Sequence, residues 1–303
     1  MPPRETFHDL IRANKRNSVI LSMVMTLLLL FLGYLLGYIL ADDAAFGLVA
    51  AALTAVFVLL YAWGMGASAV MAFAGAEPVD KEDAPQLYNV VEEMAIASGV
   101  PMPKVYLIDE DAPNAFATGI SPESASVAVT RGLLCKLNRE QLQGVIAHEI
   151  GHIRNFDIRF SLLMAVMAGG IVMLSDLVFR SALLSGGSRR RGGRDNGGQA
   201  VILLIGLVLV IFAPIVSALI QMAVSRQREY LADASAVEFT RNPNGLAEAL
   251  EILAGDRTPM PECKATENMY IVNPKVGLRA GADSLFSTHP PIHERIARLR
   301  NLL

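Results

Sequence analysis

From Val19 to Leu40, and again from Ala44 to Phe73, the chain runs without a charged residue, and Asp42 and Asp43 lie between the two stretches. The first run alone is 22 residues, enough to cross a hydrocarbon core about 30 Å thick with some tilt. Two such runs joined by a minimal acidic turn predict a transmembrane hairpin over residues 19–74, after a basic tail 1–18 that carries Arg4, Arg12, Lys15 and Arg16. A secretory signal would show a shorter apolar core and a small-residue cleavage site, neither of which is evident, so an uncleaved anchor is expected. Gly33 and Gly37 form a small-xxx-small pair that suits close packing against the second helix. Positive charge before the hairpin and negative charge in its turn place residues 1–18, and everything from about Gly75 onward, on the cytoplasmic side.

The hydrophobic fraction of 53% against 18% charged residues reflects these runs. The net charge of −3 favours neither nucleic acid nor a polyanionic partner. Cys135 and Cys263 stand far apart and give no disulfide framework; one is expected as an inert buried thiol and the other as a loop thiol.

From Glu77 the composition becomes that of a soluble domain. Leu87, Val90, Val91, Met94 and Ala95 share one face of a predicted helix over Asp83 to Ala97, which ends at Gly99 before Pro101. Lys104 to Asp109, Ala115 to Thr118 and Ser124 to Thr130 read as short strands of a small sheet. After them comes an HExxH motif, His148, Glu149 and His152, inside a helical pattern. Asn138 and Gln141 resemble a capping box, and Leu142, Val145, Ile146, Ile150 and Ile153 recur as a buried stripe. Histidines four apart lie on one helix face and can close on a single metal ion, while Glu149 reaches a water bound to it. Unpartnered histidines in so apolar a helix would be costly.

Such an ion needs a third protein ligand and an open fourth position. Glu229 is the candidate ligand, on a helical pattern where Asp233 stands four residues on. Asp233 would hold the non-ligating nitrogen of one histidine. Asn114, Ala115 and Phe116 precede the metal helix in a strand that reads equally as a plain strand start or as an edge on which an extended peptide pairs. Residues 160–224 form a second hydrophobic hairpin around an Arg/Gly-rich loop, 180–199. Whether it crosses the bilayer stays open, because Asp176 and the loop's arginines oppose it. That loop reads as a connector or as a binder of lipid headgroups. Four of the five histidines fall in two motifs, HExxH and the stretch His289 to His293. His289 is a candidate donor to an oxyanion.

Because the ligands come from both soluble stretches, 75–159 and 225–303 are expected to form two halves of one catalytic domain. His152 is eight residues from Phe160 and Glu229 five from Val224, so helical geometry sets the metal within about 12 Å of the apolar runs. Polypeptide segments at the membrane surface are the expected substrates.

Together, Asn114 to Phe116, the HExxH segment, Arg228 to Asp233, Ser287 to Pro291 and the N-terminal hairpin resemble the HtpX-like membrane zinc metalloproteases, relatives of the CAAX prenyl endoproteases. The resemblance implies an α+β, mainly α, integral membrane protein with a gluzincin-type domain and a small β-sheet. It also implies one Zn²⁺ per subunit with Glu229 as third ligand, in a cytoplasmic (inner) membrane protease that degrades misfolded or damaged membrane proteins from the cytoplasmic face. Two alternatives stand beside it: a CAAX-type prenyl-protein endoprotease, and a non-enzymatic membrane protein with a structural zinc site. The last would need four protein ligands, usually including cysteine, and neither cysteine is near.

Overall fold

The computed structural model describes residues 43–163, 226–259 and 290–302, with scattered positions between 12 and 37. His289, Cys263, the Arg/Gly-rich loop and all but the first residues of the second hydrophobic hairpin lie outside the described residues. The chain divides into two compact units, one of residues 1–16, 65–162 and 222–303, the other of 17–64 and 163–221.

In the second unit, helical residues between 19 and 37 pack on the first part of helix α1 (Ala44–Phe73). A Cβ added to Gly33 would lie 2.1 Å from the Ala51 Cβ, and one on Gly37 2.3 Å from the Gly47 Cα. The small residues therefore set the closeness of this crossing, as their spacing suggested. Helix α1 is 30 residues long and charge-free, and Phe46, Leu53, Phe57, Leu60 and Trp63 are exposed along it. Among the described residues no helix is long and apolar enough to cross a membrane; side chains at 44, 54, 58, 59 and 62 within α1 are not among those described.

The first unit holds a four-stranded sheet in the order β1-β2-β4-β3, built from β1 (Ala76–Pro78), β2 (Lys104–Ile108), β3 (Ala115–Thr118) and β4 (Ser126–Thr130). The central pair β2 and β4 is parallel, with Tyr106 opposite Ala128, and both outer strands run antiparallel to their neighbours. Pro78 lies on an edge strand, where its missing N–H breaks no ladder. The strand expected from Ser124 begins at Ser126, because Pro122–Ser124 forms a 3₁₀ turn. Thr130 ends β4 and caps α3 (Arg131–Lys136) by accepting from the Leu133 N–H. Cys135 lies on α3 and is exposed, a correction to the expected buried thiol: the core face of this short helix is taken by Gly132 and Leu133.

Helix α2 (Pro85–Ser98) buries Leu87, Val90, Val91, Met94 and Ala95, and Gly99 closes it at φ 72°, a left-handed cap that glycine adopts without strain. Helix α4 (Arg139–Arg154) starts with a capping box in which Asn138 accepts from the Gln141 N–H and the Gln141 side chain accepts from the Asn138 N–H. Leu142, Val145, Ile146, Ile150 and Ile153 on α4 are fully buried and join the core with Val127, Val129 and Leu250. Helix α5 (226–240), α6 (Pro243–Gly255) and α7 (Ile292–Arg300) follow in this unit, after a further helical stretch at 157–163.

Candidate metal centre

Helix α4 places His148 and His152 one turn apart with their imidazole Nε2 atoms 3.2 Å from each other. Glu229 enters from α5, its Oε2 3.5 Å from His148 Nε2 and its Oε1 3.7 Å from His152 Nε2. Gly151 permits the approach: a Cβ there would lie 3.0 Å from the Ser235 Cβ and 3.3 Å from the Ala232 Cα. The three donors all lie within 4.8 Å of one another. Ligands held tetrahedrally at about 2.0–2.1 Å would stand roughly 3.3 Å apart, and the observed separations are close to that.

Charge points the same way. Glu149, Asp157, Glu229 and Asp233 are all buried, as are Arg228 and Arg295. Four carboxylates against two guanidiniums leave a formal deficit that a dication cancels, and buried charge is tolerated only when compensated. The donor set therefore fits a divalent metal.

Each histidine is held from behind. Asp233 Oδ1 is 3.0 Å from His148 Nδ1, and Asp157 Oδ2 is 3.1 Å from His152 Nδ1, so both rings present Nε2 to the same point. Asp157 reaches back because α4 ends at Asn155 and Phe156 turns the chain at φ 61°, after which residues 157–163 are again helical. Each carboxylate is backed in turn by a buried arginine. Arg228 Nε is 3.6 Å from Asp157 Oδ1, with its guanidinium 3.5 Å over the Phe160 ring, while Arg295 on α7 grips Asp233.

Burial opposes charge on His148 and Arg295 repels it, but Asp233 and Glu229 outweigh both and raise its pKa from 6.5 to about 9. Burial also raises Glu149, against the pull of the two histidines and a hydrogen bond from the Ala117 backbone. Burial lowers Arg228 to about 10, with Asp157 resisting.

Of the residues predicted from sequence, His148, Glu149, His152, Glu229 and Asp233 come together here. Asn114, Ala115 and Phe116 lie at the start of the terminal strand β3, all buried. Asn114 is tied to Thr130 by its backbone N–H to the Thr130 hydroxyl at 2.8 Å, and the two β3 neighbours continue into Ala117 beside Glu149. Asp157, Arg228 and Arg295 were not anticipated. For Arg295 a signal existed: it falls on the stripe formed by Ile292, Ile296 and Leu299, where a charge needs a buried partner.

The family model for peptidase family M48 matches residues 81–303. A "Protease HtpX homolog" of Listeria monocytogenes serotype 4a (strain HCC23) is 46% identical over 300 residues, covering 96% of this chain and 98% of the relative. Homologues of the same name from Streptococcus uberis and Dictyoglomus thermophilum are each 44% identical, over 96% and 97% of this chain and 98% and 94% of their own lengths. The solved structure of S. mikatae Ste24p shares the fold with a TM-score of 0.53 at 18% identity, covering 96% of this chain and 66% of that one. With a metal-compatible HExxH site and relatives of this kind along nearly its whole length, the chain belongs to peptidase family M48 and is an HtpX-type metallopeptidase.

Proposed function

We propose that the protein is a zinc-dependent membrane endopeptidase that hydrolyses misfolded or damaged membrane proteins at the cytoplasmic face of the inner membrane. The observation that carries this is the convergence of His148, His152 and Glu229, from helices far apart in sequence, at tetrahedral donor spacing. His148, His152 and Glu229 would hold the zinc ion, which would supply Lewis acidity and lower the pKa of water at the site. Asp233 and Asp157 fix the histidine tautomers, which directs both Nε2 lone pairs at the ion. Glu149, buried beside both histidines, takes a proton from the attacking water on its carboxylate and later hands it to the leaving amine nitrogen. The terminal strand β3 offers main-chain pairing to an extended polypeptide, and the Ala117 N–H ties that strand to Glu149. Because β3 is buried, a substrate reaching it must displace what covers it.

The membrane reading rests on the sequence, in which 19–40 and 44–73 are two successive runs without a charged residue, the pattern of a membrane hairpin. The grouping of 65–162 with 222–303 in one compact unit supports a single catalytic domain into which residues 160–224 are inserted. Ste24p likeness at 18% identity speaks for the fold, and this chain covers only 66% of that structure, which leaves the prenyl-endoprotease reading as the weaker one.

Glu149→Gln tests the assignment. The purified variant should retain one zinc per chain and lose casein cleavage by at least about 10²-fold, and the unsubstituted protein should lose it to the same degree under chelation. Cleavage at the normal rate by the variant would remove Glu149 from its role. A comparison of membrane-embedded with soluble substrates tests the place of action.

A further inference from the structure

Arg295 is the largest fully buried side chain described, with no exposure to solvent. Its side chain's polar contacts are all with charged or ligating groups of the metal centre. Nε and one terminal nitrogen donate to the two oxygens of Asp233 at 2.9 and 2.7 Å. The other terminal nitrogen lies 3.1 Å from Glu229 Oε2. The first also stands 3.4 Å from both ring nitrogens of His148, the position of a guanidinium lying over the ring and outside its plane. A helix of nine residues with this side chain on its buried stripe would lose a great deal by undocking, because it would leave two buried carboxylates without their counter-charge.

We propose that Arg295 is a positioning residue of the metal centre and that docking of α7 is coupled to metal loading. Its fork fixes the Asp233 carboxylate that orients His148. Its other terminal nitrogen sets a positive charge 3.1 Å from Glu229 Oε2 without hydrogen-bonding to it, which balances that carboxylate while leaving its oxygens to ligate. The inference rests on the reading of His148, His152 and Glu229 as the metal ligands.

Two effects oppose each other. A cation beside a dication repels it, whereas a planar fork holds the Asp233 carboxylate by two parallel bonds in a way a lysine ammonium does not. Loss of an outer partner of this kind costs about 10–100-fold in metal affinity. Coupling is reciprocal, so zinc must favour docked α7 by the same factor.

The experiment uses the full chain in detergent, in a Glu149→Gln background that prevents self-cleavage. Zinc affinity is measured by chelator competition, and hydrogen exchange of the α7 amides is followed with and without zinc. Zinc should slow α7 exchange about 10–100-fold in the parent protein. Arg295→Met and Arg295→Lys should both bind zinc about 10–100-fold more weakly and lose that protection; the lysine variant keeps the charge and serves if the methionine variant does not fold. Arg298→Met, on the same helix and stacked 3.7 Å over Tyr230, should leave zinc affinity unchanged. Unchanged or tighter zinc binding in both Arg295 variants, α7 exchange indifferent to zinc in the parent, or an equal loss in Arg298→Met overturns the proposal. If His148→Ala leaves zinc binding intact, the ligand assignment itself has failed; if it abolishes binding while the Arg295 variants bind normally, only the role of Arg295 has.

Discussion

Gly151→Ala inserts one methyl group into the crossing between α4 and α5, and its consequence can be worked through. The new Cβ would meet the Ser235 Cβ at 3.0 Å and the Ala232 Cα and carbonyl oxygen at 3.3 Å, against ordinary carbon contacts of about 3.5–4.0 Å. Two of these atoms are backbone, so α5 must back away by roughly 0.3–0.7 Å to restore contact. Ala232 and Ser235 flank Asp233, and Glu229 lies one turn earlier, so both carboxylates retreat from the histidines together. A misplacement of 1 Å costs about 10²-fold in rate, which makes half of it worth about tenfold, or ~1.4 kcal/mol of transition-state energy. Stability moves less: alanine gains about 1 kcal/mol of helix propensity over glycine, against overpacking of about 1–3 kcal/mol. Expected, then, is a kcat/KM for a fluorogenic peptide about tenfold lower in the zinc-loaded protein, with a thermal midpoint displaced by only a few degrees. Gly151→Val should be worse on both counts. Rates within twofold of the parent for both variants would refute the claim that this crossing sets the distance between Glu229 and the histidines.

Two further outcomes are expected. In the metal-free protein His148 titrates at about 9 against 6.5 unperturbed, so the folded state binds this proton more tightly. Its stabilisation is complete below pH 6.5 and disappears as pH rises through about 9; the melting temperature of the chelated protein should fall across that window, while the zinc-loaded protein should stay level. Asn138→Ala removes the acceptor for the Gln141 N–H at 3.0 Å and should cost about 1 kcal/mol in thermal or denaturant unfolding; zinc stoichiometry should stay unaltered because the cap lies more than two turns from His148.

What could be read before any coordinates was whatever depends on local spacing. The α4 stripe, its capping box, the Gly99 stop of α2 and the strand at Ala115 follow from periodicity and turn chemistry that a few consecutive residues contain. The nearness of Glu229 to the histidine pair was readable for a different reason: a two-histidine helix lacks its third ligand, and Glu229, with Asp233 four residues on, stands in the segment that the family resemblance singles out. β1 went unseen because three residues, one of them proline, carry no alternation. α3 went unseen because six residues leave too short a pattern, and Cys135 was misjudged with it. Asp157 and Arg295 depend on tertiary docking. Asp157 needs the left-handed turn at Phe156 to swing back on His152, a conformation that its aromatic side chain does not advertise.

The three segments that build this centre follow one another at long intervals, with Arg295 147 residues after His148. That order imposes a timetable on the ribosome. A nascent chain carries both imidazoles long before the carboxylate that completes their set, and longer still before the arginine that braces it. Throughout most of its own synthesis the polypeptide therefore lacks a finished centre, with hydrolytic competence arriving only when the later helices have folded into place.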